Sequence, residues 1–176
     1  MRINKRNALN LIILTAVLFS CPNEIRHVYN VPKDYRLWKK PVKEILDYPV
    51  PGHGASFRVI YANELSFKAS LIKDANGNEY VVLPDGAVII KEVYKEKKDI
   101  NWTEPVLTIM VKDKNNKDAQ SGWLYFVRKP GEKQAALIKG RMCIGCHEAA
   151  NDKHIYFDNN EKGIFRDYLF VNFIGK

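Results

Sequence analysis

The chain has 176 residues, with 28 Lys and Arg against 20 Asp and Glu, which gives a formal net charge of +8. Three of the cations lie in the first 20 residues, so the rest of the chain carries only +5 (25 basic minus 20 acidic residues). A charge this small, on scattered lysines, argues against a nucleic-acid-binding protein, and 156 residues (176 minus 20) suffice for one domain with a hydrophobic core.

The first 20 residues have the pattern of an export signal. Three basic residues precede an apolar run from Leu9 to Phe19 that is too short to span a bilayer unaided. The run ends in Leu-Phe-Ser-Cys21, which is similar to the lipobox of bacterial lipoproteins, so we predict a signal peptide over residues 1–20 and lipidation of Cys21. An ordinary signal peptidase site nearby is the alternative, because Pro22 departs from the lipobox pattern. Both routes predict a periplasmic or otherwise extracytoplasmic location, and only the lipid would attach the domain to a membrane.

The remaining residues predict a tether followed by one folded domain. Residues 21–31 lack clear periodicity and form the predicted tether, which leaves residues 32–176 as the domain. Alternation with a period of two predicts strands over residues 57–62, 88–94, 106–111 and 123–127. Short helices are predicted over residues 31–38, 63–72 and 135–141. Strands with short flanking helices, and no regular alternation of the two, predict an α+β fold built mainly on an antiparallel sheet.

The most specific chemical signal is the motif Cys143-Ile144-Gly145-Cys146-His147. Two thiols at this spacing can each bond one of the two vinyl groups of a haem, and the His that follows can supply an axial imidazole to the iron. Predicted export supports this interpretation, since c-type haems are attached outside the cytoplasm. We therefore predict one haem c, covalently bound through Cys143 and Cys146, with His147 as an iron ligand.

Other interpretations of the motif have less support. A thioredoxin-like redox pair would be expected early in a strand–helix unit, whereas this pair lies near the C-terminus. A zinc site could use both cysteines with His147 and His154, but closed structural sites usually add a second Cys or His pair. A plain disulfide between the two cysteines is the third alternative.

Seven segments, in order along the chain, resemble the cytochrome P460 and cytochrome c′-beta family. They are VPKDYRLW, RVIYANEL, PDGAVIIKE, VKD, GWLYF, CIGCHE and DYLFVNF. The resemblance implies a small β-rich domain, usually a homodimer, with His147 as the proximal ligand and the opposite face of the iron open. Members of this family either bind nitric oxide in an apolar pocket or oxidise hydroxylamine.

The resemblance also implies roles for two strand residues. In the P460 branch a lysine is bonded to a meso carbon of the haem, and its position in PDGAVIIKE corresponds to Lys91. Lys91 shares a strand face with Ile89 and Val93, where burial favours the neutral amine; an outward face or a solvated sheet edge is the alternative. Members that oxidise hydroxylamine have a carboxylate where this chain has Thr108, whose hydroxyl is unsuited to accept a proton near neutrality.

The haem motif, together with the family resemblance, predicts a five-coordinate haem protein that binds or converts small nitrogen species, nitric oxide first among them. The absence of a general base at Thr108 argues against rapid hydroxylamine oxidation. The sequence therefore does not decide whether the protein is an enzyme or whether it exchanges electrons with a redox partner protein. The alternative is a six-coordinate electron carrier in which Met110, His53, His154 or Lys91 takes the sixth position. A haem-based sensor is a third option, although no output segment is visible in the sequence.

Overall fold

An antiparallel sheet of six strands forms the frame of the domain. The computed structural model describes residues 27–49, 56–155 and 159–176. In chain order, the strands within these residues are β1 (Val28–Tyr29), β2 (Phe57–Ala62), β3 (Ser70–Lys73), β4 (Glu79–Val82), β5 (Val88–Tyr94), β6 (Val106–Lys112), β7 (Trp123–Arg128) and β8 (Ala135–Leu137). The large sheet runs in the order β1, β8, β7, β6, β5, β2, and β3 pairs with β4 in a separate hairpin.

The helices are short and lie outside the sheet. One α-helix, α1 (Met142–His147), occurs within the described residues. Single 3-10 turns cover Tyr35–Leu37, Glu64–Lys68, Lys97–Asp99 and Glu148–Asn151. The predicted α+β class with a mainly antiparallel sheet is therefore confirmed. In the same described residues, no helix is long and apolar enough to cross a membrane.

The four predicted strands all form; they are consecutive in the sheet, with β2 at its edge. β2 and β5 have the predicted bounds, and β6 and β7 each extend one residue further. Alternate side chains of each of these strands belong to two different hydrophobic clusters, one on each face of the sheet. The predicted signal peptide, Cys21 and His53 lie outside the described residues. The segment predicted as a tether, residues 21–31, contains β1, which pairs with β8.

The helix predictions are less accurate. The helix predicted over residues 135–141 is wrong, because residues 135–137 form β8, which pairs with β7 and β1, and the helix begins only at Met142. Sheet pairing outweighs the local helix preference of this Ala-rich segment. The helix predicted over residues 63–72 divides into the turn Glu64–Lys68 and β3. Of the helix predicted over residues 31–38, only Tyr35–Leu37 is helical.

Each face of the large sheet carries its own hydrophobic cluster. Residues of one parity on the central strands, such as Tyr61, Ile90 and Phe126, pack beneath the N-terminal turn. Residues of the other parity, such as Ile60 and Met110, pack against α1 and the C-terminal segment. We call this second side the α1 face. It is the side on which the site is built.

The C-terminal segment, residues 167–173, covers the α1 face without forming a strand. Its apolar residues Leu169, Val171 and Phe173 alternate along the chain and are buried in the same cluster. This period of two is that of an extended chain, but no ladder of backbone hydrogen bonds accompanies it within the described residues. Packing of its apolar side chains therefore holds the segment on the α1 face.

Candidate functional site

The two cysteines and the histidine of the motif are presented by α1. Cys143 and Cys146 are three residues apart and so lie on one side of this six-residue helix. Both thiols are free and half-buried. Ile144, which points the other way, is buried in the cluster of the α1 face and anchors the helix there. This arrangement turns both sulfur atoms and the imidazole toward one cavity.

The cavity has a volume of about 330 Å³, within the range typical of cofactor sites. One wall is the α1 face of the sheet, and the opposite wall is α1 with the C-terminal segment. Cys143, Cys146 and His147 line it together with Lys91 and Thr108. The structure thus brings together the five domain residues that the sequence analysis assigned to haem binding or to the reaction. Most of the other lining side chains are apolar.

His147 is held in one orientation by its surroundings. Its Nδ1 lies 2.8 Å from the carbonyl oxygen of Tyr168, and its ring contacts those of Tyr125 and Phe170 at centroid distances of 5.6 and 6.0 Å. A carbonyl oxygen only accepts hydrogen bonds, so Nδ1 carries the hydrogen in this contact and Nε2 presents its lone pair. Burial, and secondarily the positive charge of Lys91, lowers the pKa of His147 to about 4, against the effect of the Tyr168 carbonyl. The neutral imidazole needed for metal ligation is therefore favoured.

Lys91 and Thr108 face each other across β5 and β6. They are directly paired in the antiparallel register, and Lys91 also pairs with Ile60 of β2. Burial in the cavity wall, reinforced by the positive charge of Arg58, lowers the pKa of Lys91 to about 7, while Cys143 acts in the opposite direction. A substantial fraction of the Lys91 side chains therefore carries a neutral amine near neutral pH.

A comparison with known families decides what kind of site this is. The model of the family described as Cytochrome P460 matches residues 32–171, most of the chain. The chain belongs to the cytochrome P460 family. No curated protein matches it significantly. Membership of the cytochrome P460 family makes the chain a monohaem c-type cytochrome.

The residues of the cavity fit the haem c of a cytochrome P460. The two free thiols and the imidazole open on the same apolar space, and the Nδ1 contact leaves Nε2 available for a metal. Attachment would use Cys143 and Cys146, and ligation would use His147. No carboxylate is among the described residues that line the cavity.

Arg58 is a cavity residue that sequence reasoning missed. Its side chain is only 2% exposed and lines the cavity; its Nη2 donates to the carbonyl oxygen of Tyr48, and its guanidinium lies 5.3 Å from the centre of the Tyr48 ring. Burial lowers the pKa of this guanidinium. The available signal was its parity on β2, which it shares with the apolar Ile60 and Ala62. An arginine on an otherwise apolar strand face is a candidate for a site.

The structure also separates the candidate sixth ligands of a cytochrome. Met110 is buried and lines the cavity, as does Lys91. His154 does not line it; its ring packs instead against Phe170 at a centroid distance of 5.2 Å. Between Met110 and His154, Met110 is therefore the stronger candidate for the sixth ligand of an electron carrier.

Proposed function

We propose that this protein holds one haem c through thioethers to Cys143 and Cys146, with His147 Nε2 on the iron, and binds nitric oxide or a related small nitrogen species. The observation that supports this function is the cavity itself. Cys143, Cys146 and His147 line it together with mainly apolar side chains. The two cations among the described lining residues are Arg58 and Lys91. When bound, the haem supplies an iron atom that can take a small ligand and exchange electrons.

The apolar side chains of the α1 face exclude water from the ligand position. Ile60, Ile89 and Met110 are buried in the sheet wall and line the cavity. A diatomic ligand needs no hydrogen-bonding partner to be retained, whereas water and hydroxide lose hydrogen bonds on entering such a wall. The wall therefore favours nitric oxide over polar competitors.

Thr108 limits proton chemistry in the cavity. Oxidation of hydroxylamine releases protons, and a positioned general base typically contributes about 10²–10⁴-fold to the rate of such a step. The Thr108 hydroxyl can hold or relay a proton but does not accept one near neutral pH, and no carboxylate lines the cavity within the described residues. We therefore expect hydroxylamine oxidation to be slow, since the other basic group of the wall, the Lys91 amine, would be taken up by the bond to the haem proposed next.

Lys91 is our candidate for an additional bond to the haem. The lowered pKa of Lys91 favours the neutral amine, and an amine held next to its reaction partner reacts far faster than a free one. A bond from Lys91 Nζ to a meso carbon would remove one N–H and one C–H hydrogen, and the two electrons would pass to an oxidant such as hydrogen peroxide, which would be reduced to water. Tryptic mass spectrometry after peroxide treatment tests this bond, and a Lys91 peptide without haem contradicts it.

The ligand specificity is tested by pairing two substitutions at Thr108. Thr108→Glu adds a carboxylate at the position facing Lys91, and Thr108→Val is the control that removes the hydroxyl without adding a base. The wild type and Thr108→Val should bind nitric oxide in the ferrous state within the mixing time of a stopped-flow experiment and turn over hydroxylamine slowly. Thr108→Glu should raise hydroxylamine turnover by at least about tenfold. Rapid turnover by the wild type, unchanged in all variants, contradicts the proposal.

A second function is favoured by the position of Met110. If its sulfur reached the iron, the protein would be a six-coordinate electron carrier, because Met and His ligation raises the reduction potential and blocks the sixth position. Met110→Leu preserves the volume of the wall while it removes the sulfur. A spectrum that changes from low spin to high spin in Met110→Leu would establish this function instead.

The proposed location and partners rest on the N-terminal sequence and on the family. We propose export to the periplasm, anchoring through a lipid on Cys21, a homodimeric assembly and a separate redox partner protein. Mass spectrometry of the membrane-bound protein should find acyl chains on Cys21, and Cys21→Ser should prevent processing there. A mature wild-type protein with an unmodified Cys21 contradicts the anchor.

A further inference from the structure

Behind the C-terminal segment lies a buried ion pair that the haem site does not use directly. Lys112 Nζ is paired with the carboxylate of Asp167, and each side chain is only 3% exposed. Three segments of the family resemblance meet here, since Lys112 belongs to VKD, Asp167 to DYLFVNF, and the fully buried Trp123 to GWLYF. Trp123 Nε1 donates to the backbone carbonyl of Asp167 at 2.9 Å and to its carboxylate at 3.2 Å.

The contacts of Asp167 hold its main chain as well as its side chain. One carboxylate oxygen accepts from Lys112 and Trp123, and the other accepts from the backbone N–H of Leu83 at 2.9 Å. The Lys112 ammonium also lies over the Trp123 ring, 4.9 Å from its centre. Asp167 is thus tied to three separate parts of the chain. Removal of its charge would leave the buried Lys112 ammonium without its counter-charge, which is more than a loss of one hydrogen bond.

The next residue, Tyr168, carries the carbonyl that accepts from His147. Asp167 and Tyr168 both have left-handed backbone conformations, with φ of 52° and 67°. Two consecutive residues with side chains persist in this region only where surrounding contacts fix them. Asp167 is fixed as described, and the N–H of Tyr168 donates to the side-chain oxygen of Asn151 at 3.1 Å. Asn151 ends the 3-10 turn that directly follows α1 and His147, so this second contact connects Tyr168 to the segment next to the ligand.

We infer that Lys112, Trp123 and Asp167 form a positioning unit that fixes the Tyr168 carbonyl against His147 Nδ1 and thereby sets the electron-donating strength of the imidazole. A hydrogen bond from Nδ1 to a well-placed acceptor makes the ligating nitrogen more basic, and such outer partners commonly change metal affinity or activity by 10–100-fold. The unit acts one step further out, through the peptide that bears the acceptor. The inference rests on the proposed ligation of iron by His147.

The experiment uses the haem-loaded protein and measures the iron–histidine stretching frequency of the ferrous form by resonance Raman spectroscopy, together with the reduction potential. Asp167→Asn removes the charge but keeps the shape, and Trp123→Phe removes the indole N–H together with the five-membered part of the ring but retains a buried aromatic side chain. In both variants the stretching frequency should fall and the reduction potential should rise. The fraction of nitric oxide complex that has lost its histidine should increase by up to about tenfold.

A matched control comes from the other side of the sheet. Glu92→Gln removes a buried carboxylate charge whose hydrogen-bond partners among the described residues, two tyrosine hydroxyls and one arginine, all lie outside the C-terminal segment. It should lower the melting temperature without moving the iron–histidine frequency. If Asp167→Asn and Trp123→Phe also lose only thermal stability, with an unchanged frequency and potential, the positioning role is overturned.

Failure of the proposed function has a different signature. If His147 is not the iron ligand, the wild-type protein lacks the stretching band, and His147→Ala leaves the spectrum as it was. A band that is present in the wild type, abolished in His147→Ala and unmoved in the Asp167 and Trp123 variants rejects the positioning unit alone.

Discussion

Lys91 and Glu92 are neighbours on β5, and their side chains lie on opposite faces of the sheet. Glu92 is fully buried, and its carboxylate accepts from the Tyr35 hydroxyl, from Arg36 Nε at 2.7 Å and from the Tyr94 hydroxyl at 2.9 Å. Lys91 lines the cavity on the α1 face, where Arg58 contributes a charge of the same sign. On one face hydrogen-bond donors stabilise the carboxylate, whereas on the other face burial lowers the pKa of the ammonium.

The difference separates a structural charge from a chemical one. A buried carboxylate with a complete set of donors stabilises one arrangement of the chain and is inert. A buried amine whose charged form is disfavoured is a nucleophile and a candidate for the reactive part of the molecule. The same strand supplies both, because adjacent side chains of a strand point to opposite faces.

Loss of the Glu92 carboxylate should give the largest effect on stability. Glu92→Leu leaves two tyrosine hydroxyls and the Arg36 guanidinium without their acceptor. We expect the free energy of unfolding to fall by about 3 kcal/mol. This value is at the low end for a broken buried ion pair, because the Arg36 side chain is 44% exposed and can be hydrated again. Lys91→Met, on the other face, should instead raise the free energy of unfolding at neutral pH, because it removes a cation whose charged form burial disfavours. Urea unfolding of the two haem-loaded variants gives both values. Equal losses would remove the distinction between the faces.

Arg58 sharpens the comparison, since its positive charge lowers the pKa of Lys91. Arg58→Leu should raise that pKa and slow the peroxide-driven bond between Lys91 and the haem at neutral pH, roughly several-fold, because each pKa unit changes the neutral fraction about tenfold. Arg36→Leu removes a cation from the other face and is the control. Quantitative tryptic mass spectrometry over time compares the two variants. The explanation fails if both slow the reaction equally.

The last prediction concerns the pH dependence of stability. The pKa of Lys91 is lowered from 10.5 to about 7 in the folded protein, so between these values the unfolded chain binds more protons than the folded one. The penalty for the buried cation is complete below about pH 7 and disappears as the pH rises toward 10.5. The wild type should therefore gain stability relative to Lys91→Met over this interval. A difference that stays constant from pH 7 to 10 would mean that Lys91 is charged throughout.

The sequence predicts the central strands and the motif well for physical reasons. β2, β5, β6 and β7 are long enough for their alternation to stand out, and all but the edge strand β2 have strand neighbours on both sides. The spacing of Cys143, Cys146 and His147 is local, so no tertiary information is needed to interpret it. The shared face of Lys91 and Ile89 also follows from parity alone, and both line the cavity.

Elements that depend on distant partners are not predictable in this way. β1 and β8 have two and three residues, and they are strands only because they pair with each other and with β7. The contact between Tyr168 and His147 joins residues 21 positions apart through an irregular turn. The contacts of Arg58 with Tyr48 join residues ten positions apart, so the sequence pattern alone does not predict them.

The central claim is that the cavity face holds a haem c whose iron is ligated by His147 and open on the other side. The optical spectra of the ferric and ferrous protein test it most directly. A five-coordinate, high-spin haem in both states, which stays bound to the chain during extraction with acidic organic solvent, is the result that this structure predicts. A low-spin, six-coordinate spectrum, or haem that passes into the solvent, would contradict it.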